Sequence, residues 1–285
     1  MTELEKLKLS LRRTDEDKEL NKIDFLKIYR DTKLNLNEVL PNPPVAISIG
    51  SYHYRNELMP IQFGTYGNFS CIVGASKSKK TFFKSALLAG YIGGQAQNFF
   101  SEIRGHETEG KVILDIDTEQ SKWDAQRVTR RVVDMVGAEY PNYKAFFLRE
   151  QEAKIRLDFI EYLVNDVFKG KVGLLAIDGA ADLVEDVNDL KGSNEVVQRL
   201  MKLTSQNNLH LITIIHRNHD TDKPTGHLGS AILKKAETVA FVEPDKEGGK
   251  GMVVRAKYTR SFPFDNFAFD VNDYGLPYEL NGISF

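Results

Sequence analysis

The 285-residue sequence predicts an α/β protein: a mostly parallel central sheet flanked by helices, with a C-terminal β-hairpin extension. Three observations lead there. Short, wholly apolar runs alternate with longer segments of helical period, the pattern of parallel strands buried on both faces. The runs end in polar landmarks: the loop after Val73, Asp117 and Glu119, Asp178, and His216. Ligands of such sheets bind beyond the strand C-termini, so the landmarks point to one site.

Residues 1–40 are charge-rich and mixed in sign, and they read as an arm or linker. Leu4, Leu7, Leu9 and Leu11 show no clean period, whereas Ile23, Phe25, Leu26 and Ile28 suit a short amphipathic helix. Pro41, Pro43 and Pro44 then stop regular structure, and residues 41–285 form the expected domain. It opens with a β-rich entry over Val45–Ile49, Tyr52, Tyr54 and Ile61, followed by an apolar strand at Phe69–Val73. After the loop, a helix from about Lys80 to Tyr91 pairs Phe83 with Leu87 and Phe82 with Ala86, and Gly93 and Gly94 end it. Residues 95–110 read as loop.

A strand over residues 111–120 delivers acids at its end, and Ser121 with Asp124 forms a capping-box pattern. The helix that follows carries Val128, Val132, Met135 and Val136 on one face and stops at Gly137. Ala145–Leu148 reads as a short strand, 150–168 as one long helix, and Val172–Ile177 as an apolar strand ending in Asp178. A helix over 195–206 precedes the strand Leu209–Ile215, which ends at His216. Val239–Val242 and Met252–Tyr258 flank Gly248-Gly249 as a hairpin, and Phe267–Val271 is one more strand. Near-alternate spacing of Phe262, Phe264, Phe267 and Phe269 describes strand residues with a buried face rather than a base-stacking surface.

Composition excludes several classes. No apolar run is long enough to span a bilayer, and the charged N-terminus lacks a signal core, so a cytoplasmic protein without membrane contact is expected. The single cysteine, Cys71, excludes an internal disulfide and reads as a core residue. A net charge of −2 argues against a surface that coats nucleic acid generally, so any such contact must be local.

The chemistry centres on Gly74, Ala75, Ser76, Lys77, Ser78, Lys79, Lys80, Thr81 and Phe82. A phosphate-binding loop wants Gly, four residues, then Gly-Lys-Ser/Thr; Gly74, Lys80 and Thr81 fit, while Lys79 replaces the second glycine. Helix N-termini attract anions, yet this one gathers Lys77, Lys79 and Lys80, a crowd that a bound polyphosphate would neutralise. Lys80 would then face the β- and γ-phosphates, and the Thr81 hydroxyl would bind Mg²⁺. Asp178 reads as the carboxylate that holds the metal, acting through water. Glu119 is the candidate that activates the attacking water, with Asp117 weighed evenly between function and a strand-end structural role.

In this order the landmarks resemble those of RecA-fold P-loop ATPases, above all RepA/DnaB-type hexameric helicases and their relatives on bacterial mobile elements. The resemblance covers roughly residues 45–260. It implies a RecA-like core, Mg²⁺-dependent ATP hydrolysis, a ring of six copies, and action on single-stranded DNA in replication or mobilisation. It makes Glu119 the catalytic glutamate, His216 the γ-phosphate sensor, and residues 219–229 a mobile DNA-contacting loop. Lys257 and Arg260 stand where relatives supply cations to a neighbour's γ-phosphate, and they read equally well as surface charges.

Other readings stay open. His216, His219 and His227 with Asp220 and Asp222 form too loose a set for zinc. The acidic run Asp182, Glu185, Asp186 and Asp189 would repel DNA phosphates and is taken as a solvated face. Alternatives to the motor are a nucleotide-binding scaffold or DNA-binding adaptor without turnover, and a small-molecule kinase.

Overall fold

The computed structural model describes residues 24–217, 225–245 and 251–280. The chain divides into two units, Met1–Asn42 and Pro43–Phe285. The described part of the first holds one helix, α1 (Phe25–Thr32), where the sequence placed its second apolar cluster. Asp24 caps α1 by accepting from the Lys27 amide at 2.9 Å, and no α1 residue is buried. Leu4, Leu7, Leu9, Leu11 and Ile23 lie outside the described residues.

The second unit begins with an antiparallel pair, β1 (Val45–Tyr54) and β2 (Glu57–Thr65), then β3 (Phe69–Gly74) and α2 (Lys80–Ile92). Next come β4 (Ile103–Gly105), β5 (Val112–Asp117), α3 (Lys122–Val136), β6 (Tyr143–Phe147), α4 (Ala153–Tyr162), β7 (Val172–Asp178), α5 (Leu190–Asn207) and β8 (His210–His216). The described chain closes with α6 (Gly226–Lys235) and the strands β9 (Thr238–Pro244), β10 (Met252–Thr259), β11 (Phe267–Val271) and β12 (Pro277–Leu280).

Among the described residues the main sheet has nine strands in the order β12-β11-β10-β9-β3-β8-β7-β5-β6. From β9 to β6 all neighbours are parallel, and β10, β11 and β12 add on antiparallel. Successive strand residues serve two cores. Ile72, Leu174, Ala176, Ile212 and Ile214 pack with Phe83 and Leu87 of α2 and Val132 of α3. Cys71, Val73, Leu175, Ile177 and Ile215 pack with Leu157 of α4, Val196 and Leu200 of α5, and Ile232 of α6. Six adjacent parallel strands put the C-terminal ends of β3, β5, β7 and β8 on one edge of the sheet.

Several expectations need correction. Residues 95–110 contain β4, which pairs with β1 in a separate three-stranded sheet. That strand is too short to show a period, and it forms because Gly90 lets Ile103 approach α2: a Cβ at Gly90 would lie 2.4 Å from Ile103 Cγ2. The helix expected over 150–168 starts at Ala153 and widens after Tyr162, where the Phe168 amide donates to the Leu163 carbonyl at 2.8 Å. The helix expected over 195–206 starts at Leu190, because Asp189 caps it from the Lys191 and Gly192 amides. The C-terminal hairpin is the start of a four-stranded meander, and its Gly248-Gly249 turn lies outside the described residues. Of the four phenylalanines, Phe264 and Phe269 are buried and Phe267 packs on them, but Phe262 is exposed and rests on Tyr52.

At the opposite end of the sheet a buried polar cluster ties β2 to β8 and β9. The Thr65 amide and hydroxyl both donate to the Glu237 carboxylate, and His210 Nδ1 lies 3.0 Å from the Thr65 carbonyl. Burial is the largest influence on both titrating groups. It pushes Glu237 up to about 7 against the lowering effect of the Thr65 donors, and pushes His210 down to about 4. A carboxyl whose pKa rises on folding stabilises most below its unfolded value, and that stability is lost as pH rises through the folded value. Glu237→Gln should therefore gain stability relative to the parent as pH rises from about 5 to 8. Urea unfolding of both proteins across that range checks this, and a pH-independent difference would refute it.

Candidate functional site

The loop between β3 and α2 is shaped by close approach. A Cβ on Gly74 would sit 2.4 Å from Ser78 Oγ and 2.5 Å from the Val242 carbonyl, so the loop folds tightly over β9 only with glycine there. Lys77 and Lys79 both adopt positive φ, +63° and +57°. Left-handed backbone costs a side-chain-bearing residue about 1–2 kcal/mol, which explains why the loop pattern asks for glycine at position 79. Lys79 takes that conformation nevertheless, and its Nζ pairs with Asp270 Oδ1 of β11 at 2.7 Å. The lysine crowd, which the sequence assigns to a bound polyphosphate, is thus partly neutralised by the protein itself through Asp270.

Lys80 stays with the loop. It is nearly buried, its Nζ donates to the Ala75 carbonyl at 2.7 Å, and it lies 3.2 Å from His216 Nδ1. Burial pulls its pKa down to about 8, and Glu119 and Asp178 offset this only in part. The cation is therefore short of negative charge where it stands. The amides of Lys80 and Thr81, in the first turn of α2, have no carbonyl four residues back within the helix. Ser78 Oγ is buried without a hydrogen-bond partner. Unfilled donors beside an under-compensated cation make a fitting anion cradle.

Opposite the loop stands Glu119. Asp117 holds the turn that presents it: Oδ1 accepts from the amides of Glu119 at 3.0 Å and Gln120 at 2.8 Å, and Oδ2 from the Gln120 side chain. Asp117 is a turn-holder, and burial raises its pKa. Glu119 Oε1 lies 3.3 Å from His216 Nε2, and this contact chiefly holds the Glu119 pKa below the ordinary value. Lys80 can only donate, so His216 Nδ1 accepts from it and Nε2 carries the proton toward Glu119.

Asp178 rests on a residue that the sequence reading passed over. Lys84, one turn beyond Lys80, is 1% exposed; its Nζ donates to Asp115 Oδ1 at 2.8 Å and lies 3.2 Å from Asp178 Oδ2. Tyr143 donates to the other Asp115 oxygen at 2.7 Å. Burial opposes the Lys84 charge, but Asp115 and Asp178 outweigh it, so the pKa lies above the ordinary lysine value. The contact to Asp178 is one of charge alone, since Asp178 Oδ2 accepts no hydrogen bond. A lone lysine between Phe83 and Leu87 on the inner face of an apolar helix was the available signal.

Glu119, Asp178 and His216 line one cavity of about 440 Å³ with Ser76–Phe82, Gln120 and Arg131. Arg131 was also missed. Its guanidinium stacks 3.7 Å from the centre of the Phe82 ring, and burial lowers its pKa to about 10. Thr81 and Asp178 flank the cavity as candidate metal ligands, and the buried, unbonded Asp178 Oδ2 suits a water on Mg²⁺. Among the described residues no group of three or more His, Cys, Asp or Glu could hold a metal, so phosphate oxygens and water would have to complete the shell.

Other expected residues lie elsewhere. Thr259 pairs with Thr238 at the start of β9, so Lys257 and Arg260 stand toward the end of β10 away from the loop. The Lys257 ammonium sits 5.5 Å over the Phe241 ring, and Arg260 donates to the Lys235 carbonyl at 2.9 Å. The expected DNA loop 219–229 is divided: 219–224 lie outside the described residues, and α6 begins at Gly226. His227 is on that helix, while His219, Asp220 and Asp222 are outside the described residues. In the acidic run, Glu185, Asp186 and Asp189 are exposed, but Asp182 is not a solvated charge. Its Oδ2 accepts from the Thr118 hydroxyl at 2.9 Å, and its carbonyl accepts from Arg156 at 2.7 Å. Comparison with protein-family models yields no match, and a search of curated proteins likewise yields none.

Removing one partner of a buried ion pair leaves the other charge stranded, which costs about 3–5 kcal/mol. Lys84→Met should lose stability of that order, and less in an Asp115→Asn background, as read by a denaturant double-mutant cycle. Additive losses would mean that the two residues are not coupled.

Proposed function

We propose that the chain is a Mg²⁺-dependent ATPase with a RecA-like core that works as a ring of six copies on DNA. One observation carries the reading: Lys80, at the start of the helix after β3, and Glu119, Asp178 and His216, at or just past the ends of β5, β7 and β8, converge on the cavity beside an anion-fitting loop. The fold resemblance supplies the class, and the chemistry of the side chains supports it. The loop amides and Lys80 would hold the β- and γ-phosphates. Thr81 and Asp178 would hold Mg²⁺, which when bound polarises the γ-phosphoryl group. Glu119, held by His216 on one side only, has a second oxygen with which to orient and deprotonate water. His216 touches both Lys80 and Glu119, so a phosphate drawing Lys80 away would alter the hold on the glutamate. Lys257 and Arg260 stand off from their own chain's cavity, so any role in hydrolysis is toward a neighbour's.

A second reading, a nucleotide-binding scaffold with little turnover, draws on Lys79 in left-handed backbone and on the prior engagement of Glu119 by His216.

Lys80→Ala should abolish tight ATP binding. Glu119→Gln should keep binding and lower turnover by about 10²–10⁴-fold. Fluorescent-nucleotide binding and phosphate release measure the two separately. Intact turnover in both variants sinks the site assignment, and binding without turnover in the parent selects the scaffold.

A further inference from the structure

A chain of net charge −2 must concentrate any nucleic-acid contact locally. One helix does so. Along α3 stand Lys122, Arg127, Arg130 and Arg131 against two acids, Asp124 and the exposed Asp134 in its last turn. Asp124 is half-buried at the helix start and engaged there, accepting from the Ser121 hydroxyl at 2.7 Å. Lys122, Arg127 and Arg130 are exposed, and with them stands Trp123, the sole tryptophan, 64% exposed. The Arg127 guanidinium stacks 4.7 Å from the centre of its ring. So large an apolar ring is seldom left in water, and here it is presented with cations around it.

Beside this face, between α3 and β6, lies a cavity of about 240 Å³ with Lys122, Gln126, Phe146 and Phe147 in its wall. Its acidic floor is already satisfied: Asp115 is held by Lys84 and Tyr143, and Asp117 by backbone amides. We infer that this face of α3 binds single-stranded nucleic acid, with bases stacked on Trp123 and phosphates along Lys122, Arg127 and Arg130. Exposed aromatic rings among cations serve both halves of a single strand, the base faces and the backbone. A duplex keeps its bases stacked and offers the indole nothing. A two-fold contact with a second copy would set cation against cation, and a head-to-tail contact within a ring is the outcome that the protein-concentration test below separates. The inference deepens the proposed function by locating where the strand is held, and it stands apart from ATP hydrolysis.

The sole tryptophan reports on this face directly. An oligothymidylate longer than one site, about 20 nucleotides, should quench its emission. Arg127→Glu/Arg130→Glu should weaken binding about tenfold or more and lower the salt slope by roughly 0.7 per lost contact. Trp123→Ala, followed by anisotropy of a labelled strand, should weaken it about tenfold. All variants should bind a fluorescent ATP analogue as the parent does. Absence of quenching, unchanged affinity in the charge-reversal variant, or equal binding of a duplex overturns the inference. So does a tryptophan signal that follows protein concentration alone, which would assign the face to contacts between copies. Nucleotide binding without strand binding defeats this inference alone, whereas strand binding without nucleotide binding defeats the ATPase reading alone.

Discussion

The buried Lys84 charge is the constraint on which the site depends. Asp115 and Asp178 belong to adjacent strands, β5 and β7, and two carboxylates that close in an apolar core repel unless a cation lies between them. Lys84 supplies it from α2, and in doing so pins the helix that begins the loop to the strands that end in acids. Asp178 Oδ2 lies 3.2 Å from that ammonium yet accepts no hydrogen bond, so charge alone holds it at the cavity. Structure and chemistry meet in a single ammonium group.

The loop shows the same economy. Left-handed backbone at Lys79 is strained, and the ion pair with Asp270 of the C-terminal meander helps to hold it. The meander therefore completes the site as well as extending the sheet. Arg131 acts similarly from α3, stacking on Phe82 and donating to the Gly275 carbonyl at 3.2 Å. Helices and strands that are distant in the chain converge there because parallel topology puts their ends on one edge.

Local pattern made much of this legible. Apolar runs located β3, β5, β7 and β8, and the polar residues at or after their ends fall on the edge of the sheet where the cavity lies. Glycine at 93 and 137 and the Ser121–Asp124 pair marked helix ends, since caps are written in adjacent residues. Residues whose roles depend on remote partners stayed hidden. Nothing near Lys84 in sequence announces Asp115, and nothing near Lys79 announces Asp270. Asp182 read as one of several surface acids because Thr118 and Arg156 come to it from other elements. The short strand β4 and the edge strand β12 owe their existence to neighbours rather than to their own periodicity.

From its sequence alone this protein declared a largely parallel α/β core, a lysine-rich loop at a helix start, and acids at strand ends, because burial and turns leave their marks over a few residues. Tertiary structure alone decided which charges are compensated internally, which oxygen is left unbonded, and which aromatic ring stands among cations. Those outcomes are set by distances between residues far apart in the chain, and Coulombic and hydrogen-bond energies depend on such distances rather than on order along the backbone.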